Sequence, residues 1–217
     1  MKLVLASSPE GKKKITKKII ELVGKPAKDI SICVISEAQS VKTGDRRWFI
    51  NGLHKVSKTF GGDIGICNLL ALSLNEIRDQ LLKYDVIWCF GGNTDYLKFA
   101  FDKIGFSAIL PQLLKKIIWV GSSAGSCVIG RRHSFTPIEY GITDYLGLVN
   151  FCIRPHIWGK YAQGKEKYKY ENLLKESHKR AIYALSDKSA VIVDGEKIYL
   201  HGKKAQKIES GKITEMI

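Results

Sequence analysis

The sequence predicts an α/β protein with a mostly parallel, doubly wound sheet flanked by helices and an antiparallel extension at its C-terminal end. Three observations carry this. Short apolar runs alternate with helix-length amphipathic segments through the first two thirds of the chain. The run Val86-Ile87-Trp88-Cys89-Phe90 has no polar alternation, which marks a strand covered on both faces. The last third turns to short strands around Asp194-Gly195, a hairpin signal.

A first strand is expected over residues 2–7 and a first helix over 11–23, where Ile15, Ile19 and Ile20 recur at helical spacing among Lys12, Lys13, Lys14, Lys17 and Lys18. A second strand follows over 30–36. A second helix over 45–59 places Trp48, Phe49, Leu53 and Val56 on one side. A third strand spans 63–69, and a short helix 74–82 has Asn75 as its expected cap. The fourth strand, 86–90, is followed by helices over 94–103 and 107–115. The fifth strand, 117–120, runs into Ser123. Beyond it come a strand over 149–154, a helix over 165–179 and strands over 181–186, 190–194 and 197–201. The 217 residues suit one domain over residues 1–217, since no linker or repeat divides them.

With 45% hydrophobic and 26% charged residues, the chain reads as globular and soluble. No apolar run approaches the ~20 residues that span a bilayer, and the first residues are too short an apolar stretch for a signal peptide. A cytoplasmic location, with no membrane partner, is the expectation. Cys33, Cys67, Cys89, Cys127 and Cys152 form no C-x-x-C pair, so buried free thiols are expected and no metal site. The net charge of +14 invites a nucleic-acid reading, but the basic residues are spread along the chain without a binding motif. Specific nucleic-acid binding is therefore not expected. A general positive field would attract acidic substrates.

The chemistry concentrates at Gly121-Ser122-Ser123-Ala124-Gly125, between an apolar run and a segment that can open a helix. Strand, Gly-flanked turn and helix are the setting of a nucleophile elbow, with Ser123 at its tip. A serine nucleophile needs a base, a group that orients the base, and donors for the oxyanion. Of His54, His133, His156, His178 and His201, His156 is the best placed, following Pro155 at the end of a strand-like run. Between Ser123 and His156 lie two carboxylates, Glu139 and Asp144. Glu139 is the preferred acid, with Asp144 the alternative. The N–H groups of Ala124 and Gly92 are expected oxyanion donors, and Asn93 and Thr94 expected substrate contacts.

Gly91-Gly92-Asn93-Thr94, the segment from Trp119 to Ser126, and Arg154-Pro155-His156, in that order, resemble the dipeptidase E (alpha-aspartyl dipeptidase) and cyanophycinase family of serine peptidases. The resemblance extends over most of the chain. It implies a class I glutamine-amidotransferase-like fold with Ser in place of Cys, and cofactor-free hydrolysis of short peptides through an acyl-enzyme. It makes Ser123 the nucleophile and His156 the general base, with Gly92 and Ala124 forming the oxyanion hole and Asn93 in the substrate site. The family's acid is Asp in some members and Glu in others, and Glu139 makes this chain look like the Glu type. Aspartyl dipeptidases hold the substrate's acidic side chain with an arginine on the helix after the histidine. Here that stretch carries lysines, and Lys169 is the expected substitute, a point charge without the bidentate fork. The expected partner is a short peptide, and a homodimer is left open. Two other readings are an α/β-hydrolase-type esterase and a binding module that has lost turnover.

Overall fold

The computed structural model describes residues 1–158 and 170–217. β1 (Lys2–Ala6) leads into α1 (Lys13–Val23), whose Ile15, Ile19 and Leu22 are buried at the predicted helical spacing. Gly24 ends that helix at φ 77°, donating its N–H to Ile20 O, a left-handed closure that glycine adopts without strain. β2 (Ile32–Ile35), α2 (Arg47–Thr59) and β3 (Ile64–Cys67) follow. α3 (Leu74–Leu81) is capped by Ser73 and not by Asn75. The Glu76 N–H reaches Ser73 Oγ at 3.4 Å, and Glu76 Oε2 accepts from Ser73 N at 2.8 Å. This reciprocal box satisfies two otherwise orphaned donors, which Asn75, already the second residue of the helix, cannot do.

β4 (Val86–Cys89), α4 (Thr94–Lys103), α5 (Phe106–Leu113), β5 (Ile118–Ser122) and the short α6 (Ala124–Cys127) complete the first half. The chain then forms β6 (Cys152–Arg154), α7 (Tyr170–Ser177), β7 (Ile182–Leu185), β8 (Ser189–Asp194) and β9 (Lys197–Gly202). β10 (Ala205–Glu209) and β11 (Lys212–Met216) close it.

The larger sheet has the order β3-β2-β4-β5-β1-β8-β9. Its first five strands are parallel, and β8 and β9 run antiparallel at the β1 edge. Successive residues of a strand face opposite sides, and the core divides accordingly. Val4, Val34, Trp88 and Val120 pack with Ile15 and Ile19 of α1 and Val56 of α2. Leu5, Ile35, Ile87 and Trp119 pack with Ile77 of α3, Phe101 of α4 and Leu110 of α5. Both faces are covered, as the unbroken apolar pattern of β4 demands.

A second sheet, in the order β11-β10-β7-β6, stands beside the first. Its β6 is shorter than the expected 149–154. Phe151 O accepts from Arg131 N at 2.9 Å, and Leu148 N donates to Ile129 O at 2.9 Å, so residues before Cys152 bond to a loop and not to a strand. β10 and β11 were not expected. Ser210 and Gly211 between them have φ of 51° and 76°, the paired positive angles of a tight hairpin. None of the five cysteines forms a disulfide. Among the described residues no helix is long and apolar enough to cross a membrane.

Candidate active site

The carboxyl ends of β1, β4 and β5 meet at one edge, where open α/β sheets place their ligands. β5 stops at Ser122, α6 starts at Ala124, and Ser123 alone makes the turn, at φ 51° and ψ −107°. A non-glycine residue in that region costs on the order of 1–3 kcal/mol and persists only where neighbours over-determine it. Here Ser123 N donates to Ala6 O at 2.9 Å, and Ser126 N to Ser123 O at 2.9 Å. The flanking glycines leave no room for a side chain. A Cβ on Gly121 would lie 2.5 Å from Gly125 O, and one on Gly125 would lie 2.1 Å from Cys89 O. The predicted strand–turn–helix therefore forms, and it turns Ser123 toward a cavity of about 690 Å³.

His156 comes from the second sheet. It lies two residues beyond β6 at φ 62°, with its N–H donating to Ser7 Oγ at 3.1 Å. Its Nε2 is 3.1 Å from Ser123 Oγ, and its Nδ1 is 2.5 Å from Asp187 Oδ1. With Nδ1–H donated to the carboxylate, the Nε2 lone pair faces the serine hydroxyl. The bond from His156 holds the Asp187 carboxyl below its usual range, helped by the charges of His156 and Lys12 against partial burial.

The carboxylate that His156 meets is Asp187, and Glu139, the expected acid, is bonded elsewhere. Glu139 Oε2 accepts from Asn93 Nδ2 at 2.5 Å, and its N–H donates to Asp95 Oδ2 at 2.9 Å. Asp95 also accepts from Arg132 at 3.1 Å and from the Tyr145 hydroxyl at 2.8 Å, so a buried ion pair ties the Glu139 loop to α4. Asp144 is no alternative. It accepts from the N–H groups of Arg132 and Tyr145 at 2.9 and 2.8 Å and pairs with Arg131 at 2.9 Å, which builds a turn.

Asp187 lies in the turn Ser186-Asp187-Lys188 between β7 and β8, where a carboxylate reads as a turn former. β6 and β7 are parallel neighbours, with Arg154 opposite Ala184, so His156 and Asp187 emerge at the same sheet edge.

The other expected site residues divide. Gly92 lines the cavity at φ 149°, a Cβ there would lie 2.0 Å from Ala38 O, and Asn93 N donates to that carbonyl at 2.8 Å. Among the described residues the Gly92 N–H meets no protein acceptor. The Ala124 N–H, first in α6, has no acceptor within its own helix. Asn93 caps α4, its Oδ1 accepting from Tyr96 N at 2.9 Å, and Thr94 is the first residue of that helix. Neither is among the residues lining the cavity. Lys169 lies outside the described residues. No group of three or more His, Cys, Asp or Glu among the described residues is arranged to hold a metal.

A strained serine at a strand–helix turn, bonded through a histidine to a carboxylate, is the arrangement of a serine hydrolase. The sequence model of peptidase family S51 matches residues 3–201, and the chain belongs to that family of serine-type peptidases. It is 25% identical over 161 residues to the uncharacterized peptidase Lmo0363 of Listeria monocytogenes, covering 70% of this chain and 77% of that one. Its fold matches the crystal structure of a candidate peptidase E protein from the same organism, with a TM-score of 0.74 at 21% identity over 93% of this chain and 98% of that chain. A peptidase from an acI-B1 actinobacterium matches with a TM-score of 0.75 at 15% identity over 100% and 96% of the two chains.

Proposed function

We propose that the chain is a dipeptidase-like serine peptidase that releases the N-terminal residue of short peptides through an acyl-enzyme on Ser123. The observation that carries this reading is the continuous bond path from Ser123 Oγ through His156 to Asp187. His156 Nε2 takes the hydroxyl proton as Ser123 Oγ attacks the peptide carbonyl. The N–H groups of Gly92 and Ala124 receive the charge that develops on the carbonyl oxygen, and they need no reorganisation to do so. His156 then protonates the leaving amine. Water, activated by the same nitrogen, hydrolyses the ester. Asp187 orients the ring and stabilises the imidazolium.

A cavity of about 690 Å³ falls in the range of small-ligand sites, which supports a short substrate. The fold is read as class I glutamine-amidotransferase-like, with Ser123 where those enzymes carry Cys. Five cysteines without a disulfide suit a reducing compartment and support a cytoplasmic location. Mass-spectrometric profiling of dipeptides and tripeptides with the purified protein, beside its Ser123→Ala variant, tests the reading. Serine-dependent release of the first residue is expected. A folded protein that cleaves esters but no peptide, or nothing at all, would remove it.

A further inference from the structure

One carboxyl in the cavity is unused by this chemistry. Glu10, in the loop between β1 and α1, lines the same cavity as Ser123 and His156. The indole N–H of Trp88 donates to Glu10 Oε1 at 3.3 Å. Ser122, which directly precedes the nucleophile, lines the same cavity, so the Trp88 bond holds the carboxyl beside the elbow. Gly52 keeps the space open. A Cβ there would lie 2.8 Å from the Phe90 ring and 3.5 Å from Glu10 Cγ. Burial raises the Glu10 carboxyl above its usual range, against the lowering influence of its polar neighbours, Trp88 among them, and of the Lys55 charge.

Among the described residues no cation lies within ion-pair distance of Glu10. A partly buried carboxyl without a counter-ion is costly as the anion. The Trp88 donor leaves room among the roughly four acceptor sites of a carboxylate. The missing partner is a cationic donor, and the cavity is where it would enter.

We propose that Glu10 is a specificity-determining residue that receives a primary ammonium group of the substrate, foremost the free α-ammonium of the residue to be released. The proposal rests on the peptidase reading and deepens it, since selection for a free N-terminus makes the enzyme an exopeptidase. Lys12, Lys42 and Arg46 also line the cavity and suit the opposite end of a zwitterionic peptide. Lys12 acts on Asp187, which places it on the histidine side, where the leaving residue and its carboxylate lie.

The test is calorimetric binding to the Ser123→Ala protein, so that turnover plays no part. Glycyl-alanine is expected to bind roughly 10- to 100-fold more tightly than N-acetyl-glycyl-alanine, the range of one charge-assisted hydrogen bond. Adding Glu10→Gln, which keeps an acceptor for Trp88, should bring the two ligands within about threefold. Glu10→Asp should retain part of the preference. N-acetyl-lysyl-alanine beside N-acetyl-norleucyl-alanine separates the sources. A Glu10-dependent preference for the lysyl peptide would keep the ammonium subsite and assign it to a side chain. No preference in either pair, or one that survives Glu10→Gln, overturns the proposal. Should Glu10→Gln not fold, an unchanged preference in Glu10→Asp overturns it and a reduced one upholds it. Wild-type protein that shows this selectivity yet cleaves no peptide would sink the peptidase reading and leave the subsite standing.

Discussion

The site joins two regions built on different principles. The elbow is local. Gly121 to Gly125 contains the strand end, the turn, the nucleophile and the first residues of the helix, and sterics between near neighbours dictate its shape. The His156–Asp187 side is non-local. Its two residues are 31 apart in the chain and meet because β6 and β7 pair in parallel with a particular register. A local motif tolerates distant changes and fails to nearby ones. A register-built pair depends on the sheet that carries it.

The strongest way to break the elbow chemically is Ser123→Ala. Turnover should fall by at least ~10⁴-fold while the melting temperature stays within about 2 °C, because no core volume is lost. Peptidase assays beside a thermal melt check both. Next in size is the contrast between the two candidate acids. Asp187→Asn should lower kcat by about 10³- to 10⁴-fold, since the imidazole loses the partner that fixes its tautomer. Glu139→Gln should stay within about threefold, because its carboxylate bonds Asn93. Equal losses in the two variants would mean that the Glu139 loop also governs the site.

A steric probe sharpens the difference in locality. Gly125→Ala puts a methyl group 2.1 Å from Cys89 O, a position that cannot relax without separating α6 from β4. A stability loss of about 1–3 kcal/mol or more is expected from chemical denaturation, with activity lost through displacement of Ser123.

The smallest expected effect is on acid stability. The bond from His156 depresses the folded-state pKa of Asp187 below the ordinary carboxylate value. A depressed carboxylate stabilises the fold above its unfolded value and loses that contribution as pH falls through the folded one. The wild-type advantage over Asp187→Asn in melting temperature should therefore be full at pH 5 and shrink below about pH 4. An advantage that grows on acidification would contradict the assignment.

The elements most legible in the sequence were those with local causes. The helix over Lys13–Val23 followed from Ile15 and Ile19 recurring among lysines, and the strand over Val86–Cys89 from its unbroken apolar run. Asn75 was misread because Asn is a good cap in isolation, whereas Ser73 with Glu76 satisfies two donors at once. The hairpin of β10 and β11 went unread, although Ser210-Gly211 carried its turn signal.

The sequence by itself determined the alternating α/β pattern, the elbow at Ser123 and the place of His156 at a strand end, because each follows from spacing, turn sterics or apolar periodicity within a few residues. Only the tertiary structure decided which carboxylate meets His156. Glu139 and Asp144 lie nearer to Ser123 in the chain, yet both are spent holding loops. Asp187 reaches His156 because the pairing of β6 with β7 brings two distant turns to one edge. The Glu10 carboxyl was equally invisible, since its place beside the nucleophile depends on Trp88 from β4 and on the space left by Gly52 of α2. Chain order carries no such information, because a side chain's partners are set by the packing of elements that the sequence brings together only on folding.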